Sequence, residues 1–381
     1  MPTNPIYLDY NATTPIAEEV AGAMLPYLQG RFGNPSSSHP YGKATRAAVD
    51  EARAQVAALL GCQPAEVVFT SGGTESNNTV IKGVADASGW GGGHLVVSAV
   101  EHPAVLEPCN WLTKHGFRTT QVPVDGLGRV DPDAVAGAIE PDTILVSVML
   151  ANNEVGTIQP IAEIAKIAHA RGVPLHTDAA QAVGKIPVDV DALGVDFLSV
   201  AGHKFYAPKG IGALYIREGR HFAPLLHGAG HESGRRAGTE NVLEIVGLGR
   251  AAELARQSLP ESTPQIRQLR DRLWKAISGS IPEIRRNGDP APEGGLPNTL
   301  SVSFRQVEAN VLLGIVGDRL AASAGAACHA DDITISKVLE AMHVPADFAM
   351  GTVRLSLGMH TTAEEVDSAA SILATAVGQL R

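Results

Sequence analysis

The sequence predicts an α/β fold: a mainly parallel sheet covered by helices on both faces, followed by a smaller α+β domain. Three observations carry this reading. Short runs that are apolar on both faces recur between residues 66 and 216, as strands buried on both sides require. Segments with apolar residues at helical spacing alternate with them. Polar residues stand directly after the strand ends, where open α/β sheets bind their ligands.

The first helix is expected over Ala44–Leu60, stopped by Gly61. The strand Glu66–Thr70 runs into Ser71-Gly-Gly73, and His94–Ser98 ends just before Glu101-His102. The run Thr143–Leu150 leads to Asn152-Asn-Glu154, and the helix Ile161–Arg171 is closed by Gly172, a helix-stop signal. Val173–Thr177 ends at Asp178, Asp196–Val200 ends at Gly202-His-Lys204, and Gly212–Ile216 follows. The composition shifts after residue 250. A helix over Val242–Gln257 leads into Ser258–Pro264, which reads as a hinge. A helix over Gln265–Ser278, a strand Thr299–Phe304, a helix Glu308–Gly317, a strand Thr352–Leu357 and a helix Thr362–Leu380 complete the chain. The expected division is a large domain over 16–257 and a small domain made of 1–15 and 258–381.

With 381 residues, 44% hydrophobic and 18% charged, the chain is a globular protein and not a disordered one. Its net charge of −10, from 30 Lys+Arg against 40 Asp+Glu, argues against a nucleic-acid partner, which calls for a basic stripe. Cys62, Cys109 and Cys328 are the three cysteines. They are too few and too far apart for a disulfide framework or a cysteine zinc site. A cytoplasmic location is expected on that ground. No basic segment followed by an apolar stretch marks a secretory signal, and no window of ~18 apolar residues suits a membrane span.

Several groups carry chemistry. Ser71-Gly-Gly-Thr-Glu-Ser-Asn77 follows a strand and opens a helix, so it reads as a phosphate cradle; the alternative is a plain strand–helix turn. Lys204 at an apolar strand end is partly desolvated, which lowers its pKa and suits it to a Schiff base. Asp178 ends a neighbouring strand, and a lysine with a strand-end carboxylate is the pairing that pyridoxal phosphate uses. His102 ends a third strand and is placed to stack on a ring or pass protons; taken alone it is equally a structural histidine. Cys328 sits among small residues with polar ones after it, which reads as a mobile loop bearing a reactive thiol, whereas Cys62 and Cys109 read as inert. Arg354 in an apolar strand points to carboxylate recognition or to a structural ion pair. The glycines between His227 and His231 argue against a shared helix face, and no metal is expected. The loop Arg235–Asn241 offers Thr239 and an arginine to an anion.

The motifs Tyr7–Pro15, Gly33–Ser37, Phe69–Asn78, Ala151–Glu154, His176–Gln181, Gly202–Tyr206, Arg236–Asn241 and Ala327–His329 follow in one order. In them the chain closely resembles the cysteine desulfurases of the class V aminotransferase group, of the nitrogen-fixation type. The resemblance covers nearly the whole chain. It implies a fold-type I pyridoxal 5′-phosphate enzyme working as a homodimer. It assigns the Schiff base to Lys204, the pyridinium partner to Asp178 and ring stacking to His102. Gln181 is to bond the phenolate oxygen. Gly73, Thr74 and His203 are to hold the phosphate, joined by Thr239 of the partner subunit. Asn153 and Arg354 are to bind the substrate carboxylate, with Asn34 nearby. The implied reaction converts L-cysteine to L-alanine, passing sulfur to Cys328 as a persulfide for an acceptor such as an iron–sulfur scaffold. Ala201 stands where many relatives have a phosphate-binding serine. His329-Ala-Asp-Asp332 replaces a Thr/Ser-rich loop, and Cys-His is similar to the animal selenocysteine lyases. Pro103 after the stacking histidine instead resembles the desulfurases. L-selenocysteine as substrate, or a C–S lyase without persulfide chemistry, are the alternative readings.

Overall fold

Seven strands form the central sheet: β1 Val67–Thr70, β2 Gly93–Ser98, β3 Phe117–Val122, β4 Thr143–Ser147, β5 Leu175–Asp178, β6 Phe197–Ala201 and β7 Gly212–Ile216. The computed structural model describes residues 4–329 and 332–381, the side chains of 326–329 and 332–334 excepted. The strand order is β1-β7-β6-β5-β4-β2-β3. All pairings from β3 to β6 are parallel, whereas β7 runs antiparallel to both β6 and β1. The reason lies in the connection. Between β6 and β7 the chain has too few residues for the crossover of a dozen or more that a parallel return needs. Every residue of β1, β6 and β7 is buried, which is why these strands read as unbroken apolar runs. The edge strand β3, Phe-Arg-Thr-Thr-Gln-Val, escapes that pattern because its middle residues are polar and only partly covered.

The helix expected from Ala44 begins at Pro40, with His39 as its cap, and stops at Gly61 in the left-handed region. The expected hinge at Ser258–Pro264 is not there. One helix of 39 residues, Val242–Ser280, runs straight through Pro260 and Pro264. Each proline deprives the carbonyl four residues earlier of its donor. Those carbonyls belong to Arg256 and Pro260, both exposed residues, where a missing N–H partner costs least because solvent can substitute. The first half of this helix buries Ile245, Leu248, Ala251 and Ala252 in the core under the sheet. Its second half buries Leu273 and Ile277 in a separate core. Position 257/258 thus falls inside a helix that serves both.

The second core lies on an antiparallel sheet of β8 Ile284–Asn287, β9 Thr299–Phe304, β10 Ser323–Ala324 and β11 Thr352–Ser356, in the order β10-β11-β9-β8. Leu8 packs into it, and Ile6–Tyr7 pair in parallel with Leu320–Ala321. The sequence places Cys328 in a mobile loop. Its backbone forms an antiparallel ladder between Ala326–His329 and Asp332–Ile335, with Cys328 opposite Ile333. Its thiol, and the following Ala330-Asp331, lie outside the described residues. Among the described residues no helix is long and apolar enough to cross a membrane.

Candidate active site

The polar strand ends meet around a cavity of 390 Å³, within the range of about 300–1,000 Å³ usual for small-molecule sites. Lys204 ends the short turn Gly202–Lys204 that follows β6. Gly202 has to be glycine here, since a Cβ would come within 2.9 Å of the Ile211 carbonyl oxygen. The Lys204 Nζ donates to the carbonyls of Asn11 (2.7 Å) and Ala12 (2.9 Å). Burial pushes its pKa down to about 8, and Arg354 adds to the effect while Asp178 and Asp9 oppose it.

Asp178 closes β5 and is buried. Its Oδ2 accepts from Asn77 Nδ2 at 2.7 Å and its Oδ1 from the Ala180 N–H at 2.9 Å. Below it, the His176 ring bridges three strands, bonded to Ser147 Oγ at 2.8 Å and Ser199 Oγ at 3.0 Å. His102 caps the helix Pro103–Thr113 through Nδ1, which accepts from the Ala104 N–H at 3.0 Å. A neutral ring with Nδ1 so used carries its hydrogen on Nε2. Burial in the cleft holds this imidazole below its ordinary pKa, opposed by Asp178 and reinforced by Lys204.

Gly73 and Thr74 open the helix Gly73–Ala87, whose first N–H groups have no helical partners and carry partial positive charge. His203 also lines the cavity. Burial pushes its pKa down to about 4, with Lys204, Lys209 and Lys185 adding to the effect. Arg354 reaches in from β11. Its Nη1 donates to the Asn153 carbonyl (3.0 Å), and its Nη2 donates to Asp9 Oδ1 (2.7 Å) and Ser323 Oγ (2.9 Å). Its Nε is buried with no partner among the described residues. The guanidinium is therefore an ion pair in this structure and still holds one unused donor.

Gln181 and Asn153 line the same cavity. Thr239 and Asn34 do not. Both are exposed, and the Asn34 Oδ1 is used within its own turn on the Ser36 N–H. Beside Thr239, Arg236 pairs with Glu75 at 2.9 Å. The sequence reading passed over three residues of the site. Asn77 braces Asp178, and its one signal was a place one helical turn after Gly73. Asn11 accepts from Lys204 and from Gln181, and nothing in its motif announced that. Lys185 stands four residues after Gln181 and bonds to it.

The family model for aminotransferase class-V matches residues 6–368. The chain belongs to the class-V aminotransferase family. Among its class-V relatives, the protein named cysteine desulfurase IscS in Dictyoglomus turgidum is 48% identical over 377 residues, covering 99% of this chain and 95% of the relative. The IscS of Methanosarcina thermophila is 47% identical, covering 99% and 93%. Of the solved structures, a NifS-like protein superposes with a TM-score of 0.92 at 36% identity, over 99% of this chain and 100% of the other. SspA, solved in complex with cysteine, gives 0.82 at 37% identity, over 94% and 100%. As a class-V enzyme of the cysteine desulfurase type, the chain depends on pyridoxal 5′-phosphate. The cavity's chemistry fits that cofactor. It offers a primary amine of lowered pKa, a braced carboxylate for a ring nitrogen, an imidazole at the wall and a helix N-terminus for a phosphate.

Proposed function

We propose that the chain is a cysteine desulfurase that converts L-cysteine to L-alanine and keeps the sulfur as a persulfide on Cys328. The observation that carries this reading is the meeting of Lys204, Asp178 and Arg354 on one cavity, in a chain 48% identical to a protein named cysteine desulfurase. When bound, pyridoxal phosphate supplies an electron sink for bond breaking next to the substrate nitrogen.

The chain's own residues do the rest. Lys204 holds the cofactor through Nζ. Freed by the substrate amine, this Nζ, whose pKa burial lowers to about 8, would take and return a proton at the substrate Cα. Asp178, with a donor on each oxygen, keeps a fixed carboxylate against the ring nitrogen. His102, its Nδ1 used on the Ala104 N–H, would stack on the ring. Gln181 gives an N–H to the phenolate oxygen. Gly73, Thr74 and His203 hold the phosphate, together with Thr239 of the partner subunit. Asn153 and Arg354 would take the substrate carboxylate. The Cys328 Sγ attacks the substrate sulfur: an S–S bond forms, the C–S bond breaks, and the carbon gains a proton. Enzyme thiol and L-cysteine thus become enzyme persulfide and L-alanine. Burial pushes the thiols of Cys62 and Cys109 up to about 12, too high for thiolate chemistry near neutral pH. The persulfide then passes to an acceptor such as an iron–sulfur scaffold. The working unit is a homodimer in the cytoplasm.

The decisive experiment feeds L-cysteine to the purified enzyme. Equal amounts of alanine and of persulfide mapped to Cys328 are expected. Pyruvate with ammonia would make the protein a C–S lyase, and a far larger kcat/KM for L-selenocysteine would make it a selenocysteine lyase. Lys204→Ala is expected to lose the cofactor's visible band together with all turnover.

A further inference from the structure

Gln181 sits between two neighbours that want opposite things from its amide. The Lys185 Nζ donates to its Oε1 at 2.5 Å. On the other side, its Nε2 donates to the Asn11 carbonyl at 2.9 Å. Turning the amide over would set an NH2 against a lysine head and an oxygen against an oxygen, so this pair of contacts selects one orientation. An amide nitrogen has two hydrogens. One goes to Asn11, and the other remains for the cavity that Gln181 lines.

Lys185 is itself held from two sides. Its Nζ also donates to Asn11 Oδ1 at 3.1 Å, and that oxygen accepts from Asn298 Nδ2 at 3.0 Å as well. The lysine stem lines a second, apolar cavity of 180 Å³ behind the first. Burial holds its pKa well below the ordinary lysine value, and Lys204 and Arg354 push it further the same way. A lysine in such a place costs free energy unless its head is well bonded, and it is bonded to the two side chains that shape this wall of the site. Neither the family motifs nor the proposed reaction uses it.

We propose that Lys185 is a positioning residue: it locks the Gln181 amide with its nitrogen toward the cavity, so that the site offers a donor and not an acceptor to the oxygen of the bound cofactor ring. This rests on the pyridoxal phosphate reading of the cavity. Without Lys185 only the Asn11 carbonyl still opposes the turned-over amide, which would set oxygen against oxygen at the cofactor. Lys185 does not touch the reacting atoms and orients the donor through Gln181.

The test is a double-mutant cycle read by titrating pyridoxal 5′-phosphate into apoprotein, following affinity and the position of the visible band. Lys185→Met is expected to weaken cofactor binding about tenfold and to move the band in the same direction as Gln181→Leu. Added to Gln181→Leu, it is expected to cost nothing more. Lys185→Arg, whose head also only donates, is expected to keep both readouts near wild type. If Lys185→Met does not fold, Lys185→Gln replaces it, because a carboxamide head accepts as well as donates and releases the lock. An unmoved band in the single variant, or an equal loss of affinity with and without Gln181, overturns the proposal. If the wild-type protein itself develops no band, the cofactor reading fails and the proposal fails with it.

Discussion

His176 is a polar ring carried in the middle of the sheet. Its two nitrogens are bonded to serines of the strands on either side. Burial pushes its pKa down to about 4, against a smaller opposing pull from Asp178. An unfolded histidine titrates near 6.5, so between the two values the unfolded chain binds more protons than the folded one. The contribution to stability is complete above pH 6.5 and is lost as the pH falls toward 4. Glu101 acts in the opposite sense. Burial pushes its carboxyl up to about 8, so the folded chain binds more protons than the unfolded one between that value and the ordinary carboxylate range. A difference measurement separates the two. Urea unfolding at pH 7 and 4.5 is expected to show wild type losing about 2 kcal/mol more than His176→Gln. Equal losses would mean that the ring is not held neutral. Lys204, Asp178 and His102 were legible in the sequence because each is a polar residue at the end of an apolar run. Asn11, Asn77 and Lys185 were not. Asn77 and Asn11 acquire their roles from partners far away in the chain, Asp178 and Lys204, and Lys185 from the orientation of an amide that a sequence does not show.

Elements follow the sequence where one local rule decides them. Gly61 and Gly172 end helices in the left-handed region, as their position predicted. The strands Gly212–Ile216 and Thr299–Phe304 have the bounds that their apolar runs indicated. The direction of β7 was not legible in its residues, because direction is set by the length of the preceding connection. Ser258–Pro264 misled for a different reason: proline weakens a helix without ending it when the freed carbonyls face water. An interior proline is roughly 3 kcal/mol worse than alanine in a helix, offset in part because it also stiffens the unfolded chain. Pro264→Ala is therefore expected to stabilise the fold by about 1–2 kcal/mol, read as a higher Tm with turnover unchanged. A lower Tm would show that this proline is needed to bend the helix onto its second core.

At the scale of the whole molecule, two predicted site residues stand apart. Thr239 and Asn34 are exposed and outside the cavity of their own chain. The proposed homodimer with shared sites would give Thr239 its role. Thr239→Ala is then expected to weaken cofactor retention, and mixing it with Lys204→Ala subunits is expected to restore part of the activity. In such a heterodimer one site keeps both residues, with Lys204 from one subunit and Thr239 from the other. Failure of the mixture to recover activity, or full activity in a monomer by light scattering, would remove the shared site.

The hydrogen bonds of Asn11 bear on the order in which the molecule is made. Its backbone N–H is bonded to Ser356, 345 residues away, and its side chain to Thr299 and Asn298, 288 and 287 residues away. The carbonyl of the same residue holds Lys204 and Gln181. At the usual pace of synthesis, the ribosome takes on the order of tens of seconds to pass from one end of that span to the other. Once residue 216 has been made the large sheet has all its strands, yet until the chain reaches Asn298 and Thr299 Asn11 has no partner from the second core, and Arg354 does not yet exist. A nascent chain that stops before Asn298 therefore holds Lys204 in a half-built pocket, and cofactor capture is expected at the end of translation.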